Sequence, residues 1–168
     1  MNNKLFEYGD WQTNEKLAAI VTELIKNTGF VPQVIFEPTA GVGNFLFTAI
    51  DTFISIKFAY AVEINHEYID IILKRASRYK DIQFLIHNQS IFNFNFNSLP
   101  LNKEILIIGN PPWVTNSDLG LINSSNLPKK SNFKNHKGLD AITGKGNFDI
   151  AEYIVLQILN ACHNKNGI

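Results

Sequence analysis

Apolar residues change their spacing several times along the chain, and each change predicts a different secondary structure element. Apolar residues three or four positions apart are typical of amphipathic helices, whereas short continuous apolar runs are typical of buried strands. The predicted helices cover residues 14–27, 44–54, 66–79 and 149–161. The predicted strands cover residues 34–36, 58–62, 82–86 and 105–109.

This alternation of strands and helices predicts an α/β fold with a parallel sheet, in which the apolar strands are buried on both faces. Ligands of such sheets bind outside the carboxyl ends of the strands. A polar residue or segment follows each predicted strand, namely Glu37, Glu63, residues 88–90 and Asn110. We therefore expect these four positions to converge on one crevice.

Composition narrows the class of protein. The chain has 168 residues, 45% of them hydrophobic and 18% charged, and its formal net charge is zero, as in one globular domain. Cys162 is the only cysteine, which excludes a disulfide framework and predicts a cytoplasmic protein. The histidines are scattered, so we predict no metal site. No apolar run reaches the roughly 18 residues of a membrane span, and no secretory signal precedes the first helix.

A glycine-containing loop joins the first predicted strand to the second predicted helix. Gly41 and Gly43 allow a tight turn and a close approach to a ligand. The dinucleotide-binding fingerprint requires a third glycine, but Leu46 occupies that position. Because Glu37 would repel a phosphate and attract a cation, the loop fits a cationic cofactor better than a pyrophosphate. Glu63 can accept hydrogen bonds from ribose hydroxyls; the alternative is an exposed glutamate at a strand end.

The tetrapeptide Asn110-Pro111-Pro112-Trp113 follows the fourth predicted strand. Its prolines fix φ and remove two N–H donors, so neither strand pairing nor an ordinary helical turn can continue there. The result is a rigid corner with backbone carbonyls, an amide side chain and an aromatic ring, which suits a planar amino group. The alternative is a simple turn at the end of a strand, because Asn-Pro is common in turns.

Taken together, these motifs resemble those of the class I S-adenosylmethionine-dependent DNA amino-methyltransferases, in the order typical of that family. The matching stretches are Trp11-Gln12-Thr13, Glu37 to Phe45, Glu63-Ile64, Asn88-Gln89-Ser90-Ile91, the tetrapeptide at 110–113, and residues 149–150. The chain departs from the family at Asn14, where proline is usual, and at Ser90, where aspartate is usual.

The resemblance implies a Rossmann-like class I methyltransferase that uses S-adenosylmethionine to methylate the N6 amino group of adenine flipped out of DNA. Cytosine N4 is the weaker target, since its enzymes more often begin the tetrapeptide with serine. The implied catalytic residues are Asn110, Pro111, Pro112 and Trp113. The implied cofactor-binding residues are Trp11, Gln12, Thr13, Glu37, Pro38, Thr39, Ala40, Gly41, Gly43, Phe45, Glu63, Ile64, Ser90, Ile91 and Asn110.

The resemblance also implies a partial catalytic domain, because the family's sheet has more strands than the chain supplies. Residues 1–30 would hold the first motif and helix, 31–113 the core βα units, 114–148 a long loop, and 149–168 a helix and the start of a fifth strand at Ile168. The implied partner is a C-terminal recognition half or a separate recognition subunit. The setting would be restriction–modification or a related defence system.

The segment 114–148 contains five lysines and two aspartates. It is either a solvated loop or a loop that meets DNA phosphates. The candidate DNA contacts are Lys129, Lys130, Lys134 and Lys137.

Other functions stay open. Methyltransferases for protein glutamine or RNA guanine share a similar tetrapeptide, although only a short stretch precedes Glu37, which disfavours the glutamine enzymes. A truncated remnant or subunit that binds cofactor or a partner without turnover is the alternative outside enzymes.

Overall fold

The computed structural model describes residues 12–112 and 150–166, with the side chains of the last helix described from 151 to 163. Helices and strands alternate in the predicted order. The helices are α1 (Glu15–Lys26), α2 (Asn44–Thr52), α3 (His66–Ala76) and α4 (Ile150–Asn166). The strands are β1 (Val34–Glu37), β2 (Phe58–Glu63), β3 (Gln83–Asn88) and β4 (Ile105–Ile107).

The four strands form one parallel sheet in the order β3-β2-β1-β4. The chain therefore moves outward from β1 to β3 and then returns to the other side of β1 with β4. The direction reverses between β1 and β4, and ligands of α/β sheets bind at such a switch point. This arrangement confirms the predicted α/β fold with a Rossmann-like parallel sheet.

Each face of the sheet has its own apolar core. On one face, β1 and β2 pack against α2 and α3, and the buried residues include Ile35, Leu46, Phe47, Ala59 and Ile72. On the other face, they pack against the segment after β3 and against α4. β1 is buried along its whole length, as predicted for a strand between two cores.

The segment after β3 contains two short 3₁₀ helices, Ile91–Asn93 and Phe96–Ser98, for which the hydrophobic pattern predicted no element. Phe94 stacks on Phe36 of β1 with ring centroids 5.2 Å apart, and Phe96 meets Phe94 edge to face at 5.3 Å. The described segment between β3 and β4 contains no α-helix, and these aromatic rings cover the sheet in its place. They can do so because aromatic side chains bury a large area for a short length of chain.

Several predicted boundaries were wrong by two residues or more. α2 ends at Thr52 rather than 54, because Phe53 is extended with φ −115° and ψ 96°. α3 ends at Ala76 rather than 79, β4 ends at Ile107 rather than 109, and β3 continues past 86 to Asn88. α4 continues to Asn166, five residues past the predicted 161. The predicted fifth strand at Ile168 lies outside the described residues.

α1 confirms the predicted helix but not the packing that its apolar residues suggest. Three of these residues are exposed by 53%, 58% and 62%, namely Leu17, Ile20 and Leu24. Ala18 and Thr22 are fully buried instead, and Thr22 Oγ1 lies 3.2 Å from Thr52 Oγ1 of α2. The small side chains allow α1 to approach α2 closely, so the larger residues turn outward.

Candidate active site at the carboxyl edge of the sheet

The loop between β1 and α2 turns through two glycines in the left-handed region. Gly41 has a φ of 53° and Gly43 a φ of 78°. A Cβ at Gly43 would lie 2.9 Å from Cε2 of Phe47, and a Cβ at Gly41 would collide with the side chain of Gln12. The left-handed backbone favours glycine at both positions, and at Gly43 the buried ring of Phe47 also leaves no room for a Cβ.

Gln12 and Thr13 lie against this loop. The N–H of Val42 donates to Oε1 of Gln12 over 3.1 Å. The side-chain amide of Asn44 donates to the carbonyl of Thr13 over 2.7 Å. The structure thus brings Gln12 and Thr13, the described part of the predicted N-terminal motif, to the glycine loop.

Glu63 ends β2, and its side chain reaches the same loop. Oε2 accepts a hydrogen bond from the N–H of Gly41, and Oε1 accepts one from the N–H of Asn65, both at 2.7 Å. Glu63 is only 9% exposed, so the alternative of an exposed glutamate at a strand end is wrong. A carboxylate can accept about four hydrogen bonds, and these two fix its orientation towards the loop.

The end of β3 is joined to the end of β2. Nδ2 of Asn88 donates to the carbonyls of Glu63 and Ile64 over 3.0 and 3.1 Å. Two residues further, Oγ of Ser90 accepts a hydrogen bond from the N–H of Phe92 at 3.3 Å and caps the first 3₁₀ helix. Ile91 is buried behind it. The predicted cofactor-binding residues Ser90 and Ile91 therefore lie at the carboxyl edge, with the serine hydroxyl bonded to the backbone.

Glu37 ends β1 and is only 3% exposed. Its Oε2 accepts a hydrogen bond from the N–H of Leu46 at 2.9 Å. Burial raises the pKa of Glu37 to about 8; the N–H groups of Leu46 and Phe45 act against this shift, nearby Glu63 adds to it, and Arg75 opposes it. The neutral carboxyl is therefore favoured at pH 7, and a cation bound beside it would favour the charged form.

The residues before the tetrapeptide lie directly beside the start of the glycine loop. The N–H of Ile108 donates to the carbonyl of Phe36 over 3.1 Å, which continues the pairing of β4 with β1. A Cβ at Gly109 would lie 3.4 Å from Cδ of Pro38 and 3.7 Å from Cγ of Glu37. The backbone therefore enters the Asn-Pro-Pro corner at the switch point between β1 and β4.

Within the corner, Asn110 is exposed, and Pro111 and Pro112 are half-buried. The four predicted strand ends are thus linked in the order β3, β2, β1, β4 along one edge of the sheet, and their convergence on one crevice stays a prediction. Six other predicted site residues lie outside the described residues, namely Trp11, Trp113, Lys129, Lys130, Lys134 and Lys137, so their roles stay predictions.

The described part of this edge fits a cofactor that carries a ribose and a positive charge. Oγ1 of Thr39, in the loop, is buried and has no hydrogen-bond partner among the residues that the structure describes. Buried hydroxyls are normally paired, so this one indicates a missing partner. Glu37 and Glu63 supply carboxylates that can hold a cation and ribose hydroxyls, as the resemblance to methyltransferases implies.

Within residues 12–112 and 150–166, no cluster of three or more histidine, cysteine, aspartate or glutamate side chains could hold a metal ion. The helices in the same part of the chain include none that is both long and apolar enough to span a membrane.

Two residues at the loop, Arg75 and Asn44, were not among the predicted site residues, although Asn44 lies within the matching stretch from Glu37 to Phe45. Nη1 of Arg75, on α3, donates to the carbonyl of Val42 over 2.9 Å and to Oδ1 of Asn44 over 2.8 Å. Arg75 lies far from every motif in sequence, and only the packing of α3 beside α2 brings it here. The position of Asn44 directly after Gly43 was a usable signal.

These observations define a Rossmann-like parallel α/β fold with a glycine loop and an Asn-Pro-Pro corner at its switch point. The chain is 45% identical over 163 residues to the Type II methyltransferase M.NspV from Nostoc sp. (strain ATCC 29411 / PCC 7524). The match covers 96% of this chain but 34% of that protein, so the chain spans about a third of its relative's length. The name of this relative agrees with the resemblance to methyltransferases that the sequence motifs show. No protein-family model matches the chain.

Solved structures support the same fold. An archaeal protein from Pyrococcus horikoshii, described as an RNA methyltransferase, matches with a TM-score of 0.53 at 22% identity, over 64% of this chain and 49% of that chain. A modification subunit ascribed to a type I restriction enzyme from Vibrio vulnificus YJ016 also matches with a TM-score of 0.53, at 12% identity, over 88% of this chain and 30% of that chain. At such identities, the likeness concerns the fold alone.

Proposed function

We propose that this chain forms the cofactor-binding and catalytic part of an S-adenosylmethionine-dependent DNA methyltransferase that modifies the N6 amino group of adenine. The observation that carries the proposal is the entry of the Asn-Pro-Pro corner beside Glu37 and Pro38, at the switch point of the sheet. The similarity to the Type II methyltransferase M.NspV supports the reaction class. Asparagine at position 110 supports adenine over cytosine.

The corner supplies the acceptors that the reaction needs. An adenine amino nitrogen is a poor nucleophile, because its lone pair is delocalised into the ring. In the proposed mechanism, Oδ1 of Asn110 and the carbonyl of Pro111 each accept one amino hydrogen. Both hydrogen bonds strengthen as the nitrogen becomes tetrahedral and positive, so they stabilise the transition state more than the ground state. Trp113 would stack on the flipped base, which compensates in part for unstacking it from the duplex.

The loop side holds and orients the methyl donor. Glu63 would accept hydrogen bonds from the ribose hydroxyls, and the unpartnered hydroxyl of Thr39 is a further donor or acceptor at the loop. Glu37 lies close to the corner, since a Cβ at Gly109 would come within 3.7 Å of Cγ of Glu37, and an ionised Glu37 would favour positive charge there. When bound, S-adenosylmethionine supplies an activated methyl group on a cationic sulfur, and the chain's contribution is mainly to align it with the amino nitrogen.

The remaining assignments belong to the same proposal. Residues 1–30 would carry the first motif and helix, 31–113 the core units, 114–148 the lysine-bearing loop, and 149–168 the last helix and the next strand. Lys129, Lys130, Lys134 and Lys137 would contact DNA phosphates. A recognition half or subunit would present the base, in a cytoplasmic restriction–modification or related defence system.

Cofactor binding is the first test, and it can be made with the chain alone. We expect calorimetry to detect S-adenosylmethionine binding, and we expect Glu63→Gln to weaken it about tenfold, the usual effect of losing a hydrogen bond to a charged group. Glu104→Gln is the matched control, because Glu104 is exposed at the opposite edge of the sheet. Absence of heat at millimolar cofactor would instead favour the non-catalytic remnant.

Methyl transfer is tested best in a chimaera. The matching segment of M.NspV is replaced by this chain, and the methylated nucleosides of the product DNA are identified. We expect N6-methyladenine, and we expect Asn110→Ala to abolish it while cofactor affinity changes little. Asn102→Ala, an exposed asparagine before β4, is the control and should retain activity. N4-methylcytosine in the product, or full activity of Asn110→Ala, would contradict the proposed target or the proposed role.

A further inference from the structure

We propose that Arg75 is a positioning residue, which sets the affinity for the methyl donor without touching it. It would do so by holding the glycine loop and the Gln12–Thr13 segment in register. This inference rests on the proposed function in so far as it concerns affinity. Its structural part, the positioning of the loop, can be tested without any ligand.

Arg75 lies near the end of α3, and its guanidinium reaches the first residues of α2. Nη1 donates both to the carbonyl of Val42, over 2.9 Å, and to Oδ1 of Asn44, over 2.8 Å. Nη2 lies 3.3 Å from Oε1 of Glu15 at the start of α1. One side chain therefore contacts the loop, the start of α2 and the start of α1.

Asn44 transmits this contact to the N-terminal segment. Because Arg75 is a donor only, it can pair only with the carbonyl oxygen of the Asn44 amide. The amide nitrogen is thereby turned towards Thr13, to whose carbonyl it donates over 2.7 Å. Neighbouring Gln12 then accepts from the N–H of Val42 at 3.1 Å. Arg75, Asn44 and Thr13 thus form a relay that closes on the same loop from which it starts.

The ring of Phe47 fixes the guanidinium in place. The guanidinium carbon lies 4.3 Å from the ring centroid, and the Arg75 side chain is only 23% exposed. An atom of the same ring lies 2.9 Å from the position that a Cβ would take at Gly43, so the ring also packs directly against the glycine loop. A planar cation can stack on this ring and donate in its own plane at once, whereas a lysine ammonium cannot reproduce both contacts.

The relay has no role in the proposed chemistry, since none of its members is a proposed acceptor for the amino group. Its effect would be on the shape of the loop to which the donor binds. Residues that act on a site through packed neighbours typically change binding by about two- to thirtyfold. A tenfold loss is therefore a reasonable expectation for removing the guanidinium.

The test compares Arg75→Met and Arg75→Lys with Arg78→Met, an exposed arginine on the turn after α3, as the matched control. By calorimetry, we expect about tenfold weaker S-adenosylmethionine binding for Arg75→Met, a smaller loss for Arg75→Lys, and no change for Arg78→Met. Asn44→Asp keeps the acceptor for Arg75 but loses the donor to Thr13. Its effect should be non-additive with Arg75→Lys, because both variants interrupt the same relay.

The second readout is the rate of amide hydrogen exchange at Val42 without ligand. A residue that only stabilises the fold as a whole would not change the exchange rate at Val42 in particular. We expect the Val42 amide to exchange faster in Arg75→Met and at the wild-type rate in Arg78→Met. Exchange rates are compared between variants of equal global stability, or after correction for the difference in stability. If Arg75→Met does not fold, Arg75→Lys decides in both measurements. Wild-type affinity, or wild-type exchange at Val42, would overturn the proposal. If the wild-type chain binds no donor, the proposed function and the claim about affinity fail, and exchange alone decides the positioning of the loop.

Discussion

The two sides of the switch point are built differently. On the side of β1 and β2, the glycine loop is held by side chains from several segments, and Glu37, Glu63 and Gly43 are all buried. On the side of β4, a three-residue strand leads to an exposed Asn110, and the entry is defined by backbone pairing and by proline. Side-chain contacts between segments thus shape the loop side, whereas backbone pairing and proline shape the β4 side.

This difference indicates that the two sides have different roles in the proposed enzyme, with the donor bound on the loop side and the base on the β4 side. A donor site that must recognise one cofactor gains from being preorganised, because little ordering is left to be done on binding. The corner must accept a bulky base from outside, and an exposed amide beside rigid prolines meets that need without burial. We therefore expect substitutions to lower the free energy of unfolding strongly on the loop side and only slightly on the β4 side.

The largest effect should come from Gly43→Ala. The new Cβ would combine left-handed strain with a 2.9 Å contact to Phe47, and we expect a loss of about 3 kcal/mol in the free energy of unfolding. Gly29→Ala is the matched control, because Gly29 has a similar φ of 83° but no atom within 4 Å of a Cβ. It should lose about 1 kcal/mol in urea titrations, from strain alone. Equal losses would mean that the loop is not tightly packed.

Glu37→Gln should change the pH dependence of stability. The raised pKa of Glu37, about 8, means that the folded chain keeps a proton that the unfolded chain has released above its ordinary pKa of 4.5. The stability that this proton contributes is fully present below the unfolded value and is lost as the pH rises through 8. Between pH 6 and 8, we expect wild type to lose about 2 kcal/mol relative to Glu37→Gln in urea titrations.

Glu104→Gln, an exposed acid, is the control for that experiment and should follow wild type at each pH. A constant difference between wild type and Glu37→Gln across this range would show that Glu37 is ionised in the folded chain. Water would then reach the Glu37 carboxyl more readily than its burial in the structure indicates.

The smallest effect should come from Gly109→Ala on the β4 side. Its Cβ would make ordinary contacts of 3.4 Å with Pro38 and 3.7 Å with Glu37, and its φ is not in the left-handed region. We expect a change within about 0.5 kcal/mol by urea titration, since no clash or strain arises. A loss comparable to that of Gly43→Ala would remove the distinction between the two sides.

Much of the fold could be predicted because its signals are local. Spacing of apolar residues is set within a few positions, and it identified every α-helix and strand that the structure describes. Helix and strand ends were less accurate, because the last turn depends on neighbours, as the extended Phe53 after α2 illustrates. The aromatic segment after β3 had no periodic pattern, so its 3₁₀ helices were not predicted.

In the candidate site, too, locally encoded features could be predicted and features that depend on tertiary packing could not. Glu37, Glu63, the glycines and the Asn-Pro-Pro corner were recognisable because strand ends of a parallel sheet meet at one edge, and motif residues are contiguous in sequence. The burial that raises the pKa of Glu37 was not recognisable, because it depends on α2 closing over β1. Which face of α1 is buried was not recognisable for a related reason, since it depends on the close approach of α1 to α2 at Ala18 and Thr22.

By itself, the sequence determined the order of the elements, the parallel α/β class and the polar residues at or just beyond the strand ends, since these follow from local spacing and from backbone chemistry. Only the tertiary structure decided which carboxyl is buried, which face of α1 meets its neighbour, and that Arg75 holds the loop. Those properties arise from contacts between segments distant in sequence, whose distances and solvent exposure no local pattern encodes.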